Sequence, residues 1–316
     1  MKSIRTISGT SKDKGLMTTI KKDLVYNKAL YILVLPVLVF YLIFHYIPMA
    51  GVIISFQDYQ PALGILKSPW VGFSNYIDFF TSNYFFRVLL NTLRISACSI
   101  LFGFPAPIIL ALLINELRSK RFAKVVQTVA YMPHFISLVV VVTLIKIFTD
   151  QGSIFSMLYE RFTGESISLL MLPQAFVPIY TISNIWQGCG WDTILYMAAL
   201  TAIDPSLYEA CKIDGGGRLR QTISVTLPGI APTILTLLIL RMGNILSVGF
   251  EKIILMYNPL TYSTADVIST FVYRKGLQDM DWSYSTAVGL FNSVVNVIFL
   301  TVTNKLSRRM TETSLW

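Results

Sequence analysis

The stretch ALYILVLPVLVFYLIFHYIPMAGVIISF, residues 29–56, runs for 28 residues without an Asp, Glu, Lys or Arg. A helix of that length rises about 40 Å at 1.5 Å per residue, more than the roughly 30 Å hydrocarbon core of a bilayer. Such an element constrains the chain to fold around membrane-crossing helices. Five further apolar stretches follow, at about 88–114, 125–148, 170–200, 230–256 and 284–303. Composition agrees, because only 14% of residues are charged, where a soluble domain carries about 25%. The expected fold class is an all-α membrane protein with six transmembrane helices. Pro36, Pro48, Pro105, Pro107 and Pro178 fall inside or at the ends of these spans, where neighbouring helices re-satisfy the freed carbonyls.

The net charge of +9 is spread over short segments between apolar runs and forms no single patch, which argues against nucleic-acid binding. With the N-terminus inside the cell, seventeen Lys and Arg residues face the cytoplasm and five lie in outer loops. By the positive-inside rule both termini are then cytoplasmic. The expected organisation is a basic N-terminal segment (1–28), a six-helix permease domain (29–304) and a cytoplasmic tail (305–316). The first apolar run is too long for a signal-peptide core and is read as a retained span. Cys98, Cys189 and Cys211 suggest neither a disulfide framework nor a zinc site. No GxxxxGK[ST] stretch occurs, so the chain has no P-loop with which to hydrolyse nucleotide. His45 and His134 stand beside prolines at span ends and are read as structural.

Between spans four and five lies a polar break, DPSLYEACKIDGGGRLRQTISVTLPGIAP, the loop expected over residues 204–232. Asp204 is a natural N-cap with Pro205 at the first helical position, and the glycines at 215–217 stop the helix. RLRQTISVTL suits a second short amphipathic helix, with Leu219, Ile223 and Leu227 on one stripe and Pro228 and Pro232 ending it. Charge asymmetry places this break on the cytoplasmic face.

Glu209-Ala210-Cys211, Asp214-Gly215-Gly216 and the closing Leu227-Pro228 resemble the EAA loop of binding-protein-dependent ABC importer permeases. Cys211 and Gly216 stand where that pattern has alanine. FHYIPMAGVIISFQDYQPALGILKSPWVGFSNY (44–76), NTLRIS (91–96), YMPHFIS (131–137) and VGFEKIILMYNPLTYSTADVISTFVYRKGL (248–277) are similar to the maltose-transporter-type permeases, in their polysaccharide/oligosaccharide (LplB-like) subgroup. The fifth span leaves through "YNPL" where the sugar permeases have "GGP". The resemblance implies a type I ABC importer permease fold in a bacterial cytoplasmic membrane. It also implies a heterodimer with a second permease, two copies of a cytoplasmic ATPase that hold ATP and Mg, and an extracytoplasmic solute-binding protein. This chain itself would carry no cofactor and do no covalent chemistry. The loop would be the coupling helix, with Glu209, Ala210, Cys211, Asp214, Gly215, Gly216, Leu227 and Pro228 as its signature. Glu209 and Asp214 would order the loop and its partner contacts. The implied cargo is an oligosaccharide, with uronate-containing alginate or pectin fragments among the candidates.

A charge at membrane depth costs roughly 2.5–3.5 kcal/mol on insertion scales and marks a functional residue by default. Arg241 lies about a dozen residues into span five, and Arg94 lies with Asn91 in span two. A planar bidentate guanidinium suits sugar hydroxyls or a uronate carboxylate; the bland alternative is interhelical bonding to carbonyls. Asn244, Trp186 and Gln187 are further cavity candidates, with Tyr196 and Glu251 weaker. Glu251 and Lys252 are expected near the outer surface, in solvent. An ion-gradient-driven secondary transporter is the rival function, but it would need paired repeats and embedded carboxylates, and neither stands out in the sequence.

Overall fold

The computed structural model describes residues 26–311, with side chains as far as residue 308. The expected basic segment therefore lies largely outside the described residues, whereas the expected tail from 305 is helical as far as Thr311. The chain divides into two compact units, Met1–Ile53 and Ile54–Trp316. The described part of the first is helix α1 (Lys28–Tyr41), which continues through a π turn at Leu42–Tyr46 into Ile47–Met49 and buries none of its side chains. An apolar helix with all its side chains exposed is suited to lipid or to another protein surface.

The second unit is built from α2 (Phe85–Cys98), α3 (Pro105–Asn115), α4 (Lys120–Tyr131), α5 (Leu138–Thr149), α6 (Pro173–Thr201), α7 (Pro205–Ile213), α8 (Leu227–Met242), α9 (Phe250–Met256) and α10 (Trp282–Thr311). Among the described residues there is no β-strand, only an isolated bridge between Gln57 and Trp70. Five helical stretches are long and apolar enough to cross a membrane: Lys28–Phe56, Phe85–Asn115, Leu138–Thr163, Arg218–Met242 and Trp282–Arg308. The expected fourth span corresponds to α6, whose 29 residues are long enough to cross but include polar positions throughout. It is the central helix and buries Phe176, Tyr180, Thr193, Tyr196 and Leu200 against its neighbours. Side chains enclosed by protein need not be apolar for lipid.

Two expected spans differ from the structure. The stretch 125–148 is not one helix, because the turn at Met132–Phe135 contains Pro133 and the backbone is extended at Ile136 and Ser137. The apolar crossing begins only at Leu138. The stretch 230–256 is broken at 243–249, and its first half starts earlier, at Arg218. RLRQTISVTL is thus no separate helix, and neither Pro228 nor Pro232 ends one.

The continuity through Pro228 has a local cause. A proline ring crowds the carbonyl four residues back and donates no hydrogen bond. Here the turn before it widens to a π turn at Thr222–Thr226, and Leu227 N–H reaches back to the Thr222 carbonyl. The same device recurs at Ser99–Gly103 before Pro105 and at Leu42–Tyr46 before Pro48. Widened turns let these helices carry proline without breaking.

Three apolar clusters pack the second unit. One joins Ile95, Val142, Phe176, Val177, Ile253 and Met256; a second joins Phe79, Val88, Leu246, Phe271 and Val288; a third joins Ala111, Tyr196, Leu200 and Ile230. Helix α6 meets α4 so closely that a Cβ on Gly190 would stand 2.0 Å from the Ala130 carbonyl oxygen.

Short helices between the long ones are tied together by Asp266, which is fully buried. Arg274 grips its carboxylate with Nη1 at 2.9 Å and Nη2 at 2.7 Å, and Thr270 adds a hydroxyl at 2.9 Å. Arg87 of α2 approaches to 3.4 Å, and Asn91 donates to the backbone carbonyl of Asp266 at 3.0 Å. Removing one partner of a buried ion pair costs about 3–5 kcal/mol, because it leaves the other charge uncompensated. Asp266→Ala should therefore lower the melting temperature of the detergent-solubilised protein sharply. An unchanged melting temperature would contradict this role.

Candidate functional site

The first candidate is the stretch from Asp204 to Pro228. Asp204 accepts a hydrogen bond from Ser206 N–H at 2.9 Å and caps α7, with Pro205 at its first position. The Ser206 backbone and hydroxyl hold the Asp204 carboxyl below the usual carboxylate range. At the other end Gly216 N–H bonds to the Cys211 carbonyl (2.8 Å) and Gly215 N–H to the Lys212 carbonyl (3.0 Å). This is a Schellman stop, and it needs Gly215 at φ +77°, a conformation that L side chains avoid. Gly216 is required for a different reason, since a Cβ there would lie 2.5 Å from Cys211 Sγ and 2.6 Å from its carbonyl oxygen. Tyr208 and Thr226 hydroxyls meet at 3.1 Å, and Gln221 donates to the Gly216 carbonyl at 2.9 Å, fastening α7 to the start of the next helix.

Glu209 and Asp214 are exposed and form no side-chain hydrogen bond or ion pair among the described residues, so the caps and the glycine turn order this loop. Ala210 is exposed and Cys211 half-buried. Ile213, Leu219 and Ile223 project with 86%, 75% and 57% of their surface open, while Leu227 is half-buried. A rigid polar turn carrying exposed large aliphatic side chains has the form of a docking element.

The second candidate lies within the helices, around Arg241 at the end of α8. Its Nη2 donates to Ser99 Oγ at 2.8 Å and to the Ser99 carbonyl at 3.4 Å. The guanidinium stands at the junction of three cavities. The largest, about 230 Å³, is lined by Ser96, Ser99, Tyr180, Arg241, Asn244 and Gly249, among others. A second, of about 30 Å³, adds Thr181, Asn184 and Asp192, and a third, of about 140 Å³, is bounded by Phe104, Asp192, Tyr196 and Leu237. The broken segment 243–249 forms one wall. Asn296 of α10 holds it, accepting from Leu246 N–H at 3.0 Å and donating to Ser247 Oγ at 3.0 Å, while Ser96 donates to the Ile245 carbonyl. Irregular backbone inside a membrane protein is tolerated where it lines a cavity, and there it offers unpaired carbonyls to a ligand.

Of the sequence candidates, the structure brings Arg241 and Asn244 to one cavity. Asn91 is buried, and its amide is used on the carbonyls of Ser263 and Asp266. Arg94 and Trp186 are exposed and Gln187 is half-buried, and none of the three lines these cavities. Lys252, expected in solvent, is 4% exposed and donates to Asn184 Oδ1 at 2.7 Å. Asp192, Asn184, Tyr180 and Ser99 were missed. Tyr180, Asn184, Gly188, Asp192 and Tyr196 recur every fourth residue along α6, a polar stripe at helical spacing that could have revealed the cavity wall. Among the described residues no cluster of three or more His, Cys, Asp or Glu side chains could hold a metal.

Residues 103–312 match the family of binding-protein-dependent transport system inner membrane components. Over 306 residues the chain is 45% identical to the polygalacturonan/rhamnogalacturonan transport system permease protein YteP of Bacillus subtilis (strain 168), covering 96% of this chain and 95% of that one. Protein LplB of the same organism matches with the same identity and coverage. The fold is similar to a chain of a bacterial alginate ABC transporter crystallised in complex with an alginate pentasaccharide-bound periplasmic protein. That similarity has a TM-score of 0.86 at 43% identity, over 95% of this chain and 99% of that one. A second alginate-importer structure gives a TM-score of 0.85 at 44% identity, over 93% and 99% of the two chains. The chain belongs to the inner-membrane components of binding-protein-dependent transport systems and is a permease subunit with the ABC importer fold, not an enzyme.

Proposed function

We propose that this permease imports acidic oligosaccharides, with Arg241 as the cavity residue that meets their carboxylates. The observation that carries this proposal is the guanidinium at the junction of three cavities, bonded among the described residues only to Ser99. Ser99 is neutral, so the hydrogen-bond partner of Arg241 carries no countercharge and leaves its remaining donors for a ligand. The relatives named above for polygalacturonan and alginate support an anionic cargo.

The permease pairs with a second membrane subunit, receives its cargo from an extracytoplasmic solute-binding protein, and is driven by two copies of a cytoplasmic ATPase that hold ATP and Mg. Both termini and the 204–232 loop face the cytoplasm, as the Lys and Arg asymmetry suggests, within a permease domain spanning 29–304. The loop docks on the ATPase through Ile213, Leu219 and Ile223, and Glu209 and Asp214 are free for polar contacts with it. Its caps and Schellman turn make it stiff enough to pass a rigid-body movement to the helices.

Two expectations follow. Gly216→Val forces a side chain into Cys211 and should spring the turn open. The assembled importer should then hydrolyse ATP with little or no uptake, whereas normal uptake would refute the coupling role. Arg241→Gln removes one charge-assisted contact, worth roughly tenfold to a hundredfold. Uptake of a labelled oligogalacturonate should fall by that factor while its carboxyl-reduced, neutral counterpart is little affected. An equal loss for both would refute carboxylate recognition.

A further inference from the structure

Asp192 is a solvent-exposed carboxylate in the body of α6. It forms no side-chain hydrogen bond or ion pair among the described residues, so its carboxylate is open to the cavities it borders. It lines the 30 Å³ and 140 Å³ cavities, and Arg241 lines both with it. Its electrostatic neighbours are Arg241 and His134, and His134 is stacked flat on Trp191 at 4.5 Å. Arg241 therefore has a neutral hydroxyl as its hydrogen-bond partner, an anion across two small cavities, and the open 230 Å³ cavity beside it.

We propose that Asp192 is a specificity-determining residue that competes with the cargo for Arg241. With the 230 Å³ cavity filled, the guanidinium turns its free donors to a cargo carboxylate. With it empty, Asp192 draws the guanidinium back across the smaller cavities. An importer must bind strongly enough to select and weakly enough to release. A resident carboxylate within reach of the binding cation weakens the grip on acidic cargo more than that on neutral cargo. A long, flexible arginine can swing between two such anions without backbone movement. Lys252 cannot substitute for it, being buried against Asn184 and the face of Tyr180.

This inference rests on carboxylate recognition by Arg241, and its test is separable from that of the function. The complete importer, with its ATPase, second subunit and binding protein, is reconstituted in vesicles. Uptake is measured for a labelled oligogalacturonate and for its carboxyl-reduced form. Asp192→Asn and Asp192→Ser should each lower the KM for the acidic cargo and also its maximal rate, by roughly threefold to tenfold. Asp192→Glu should restore both values, and in every variant the kinetics of the neutral form should change less than those of the acidic cargo. That neutral uptake also reports whether a variant assembles. A KM that rises or stays constant for the acidic cargo, or equal changes for both cargoes, would overturn the role of Asp192. A wild-type importer that takes up no acidic cargo would instead overturn the proposed function, and this inference with it.

Discussion

The ion pair between Asp266 and Arg274 governs how the rest of the second unit is assembled. A fully buried carboxylate is tolerable only when matched, and here Arg274 matches it with two short hydrogen bonds, supported by Arg87 and Thr270. The consequence reaches far along α2. Arg87 and Asn91 fix its N-terminal end to the 262–274 segment, and Thr92 Oγ1 accepts from Ile268 N–H at 3.0 Å. With that end pinned, helical geometry carries Ser96 to the broken segment and Ser99 to Arg241. The register of the inner site thus follows from an anchor in the 262–274 segment.

The inner site depends on a helix that does not continue. Had the stretch from Arg218 run unbroken to Met256, its backbone carbonyls would all be spent on the helix. The break at 243–249, clamped by Asn296 and Ser96, removes that ladder and opens the cavity between α2, α6 and the chain leaving α8. Gly249 is placed there by close approach, since a Cβ would stand 2.6 Å from the Tyr180 hydroxyl. The site therefore combines one cation, irregular backbone and a polar stripe on the central helix.

Hydropathy and charge made the helical class legible, and the spacing from Glu209 to Pro228 made the loop and the family legible, because each depends on local chemistry alone. The ends of spans were less readable. Pro228 reads as a helix stop, and only the π turn before it, a backbone adjustment with no residue signature, lets the helix pass. Lys252 reads as a surface lysine because its neighbour Glu251 is acidic, while its partner Asn184 lies 68 positions away. Asn91 and Arg241 look alike as polar residues in apolar spans. Tertiary contacts separate them, occupying the amide of one and leaving the guanidinium of the other beside open space. The series from Tyr180 to Tyr196 is present in the sequence, but Trp186 and Gln187 on the same helix draw attention as sugar-binding types while the structure leaves them off these cavities.

A stiff loop at one face and a charged cavity in the interior make mechanical sense only if an external engine moves the helices around the cavity. On the proposed function, energy enters through the 204–232 loop and not through ions crossing the protein. The most direct measurement is uptake of a labelled acidic oligosaccharide by vesicles holding the complete importer, in the absence of any ion gradient. Uptake should require hydrolysable ATP and be insensitive to ionophores. Accumulation driven by a proton or sodium gradient without ATP would contradict the account.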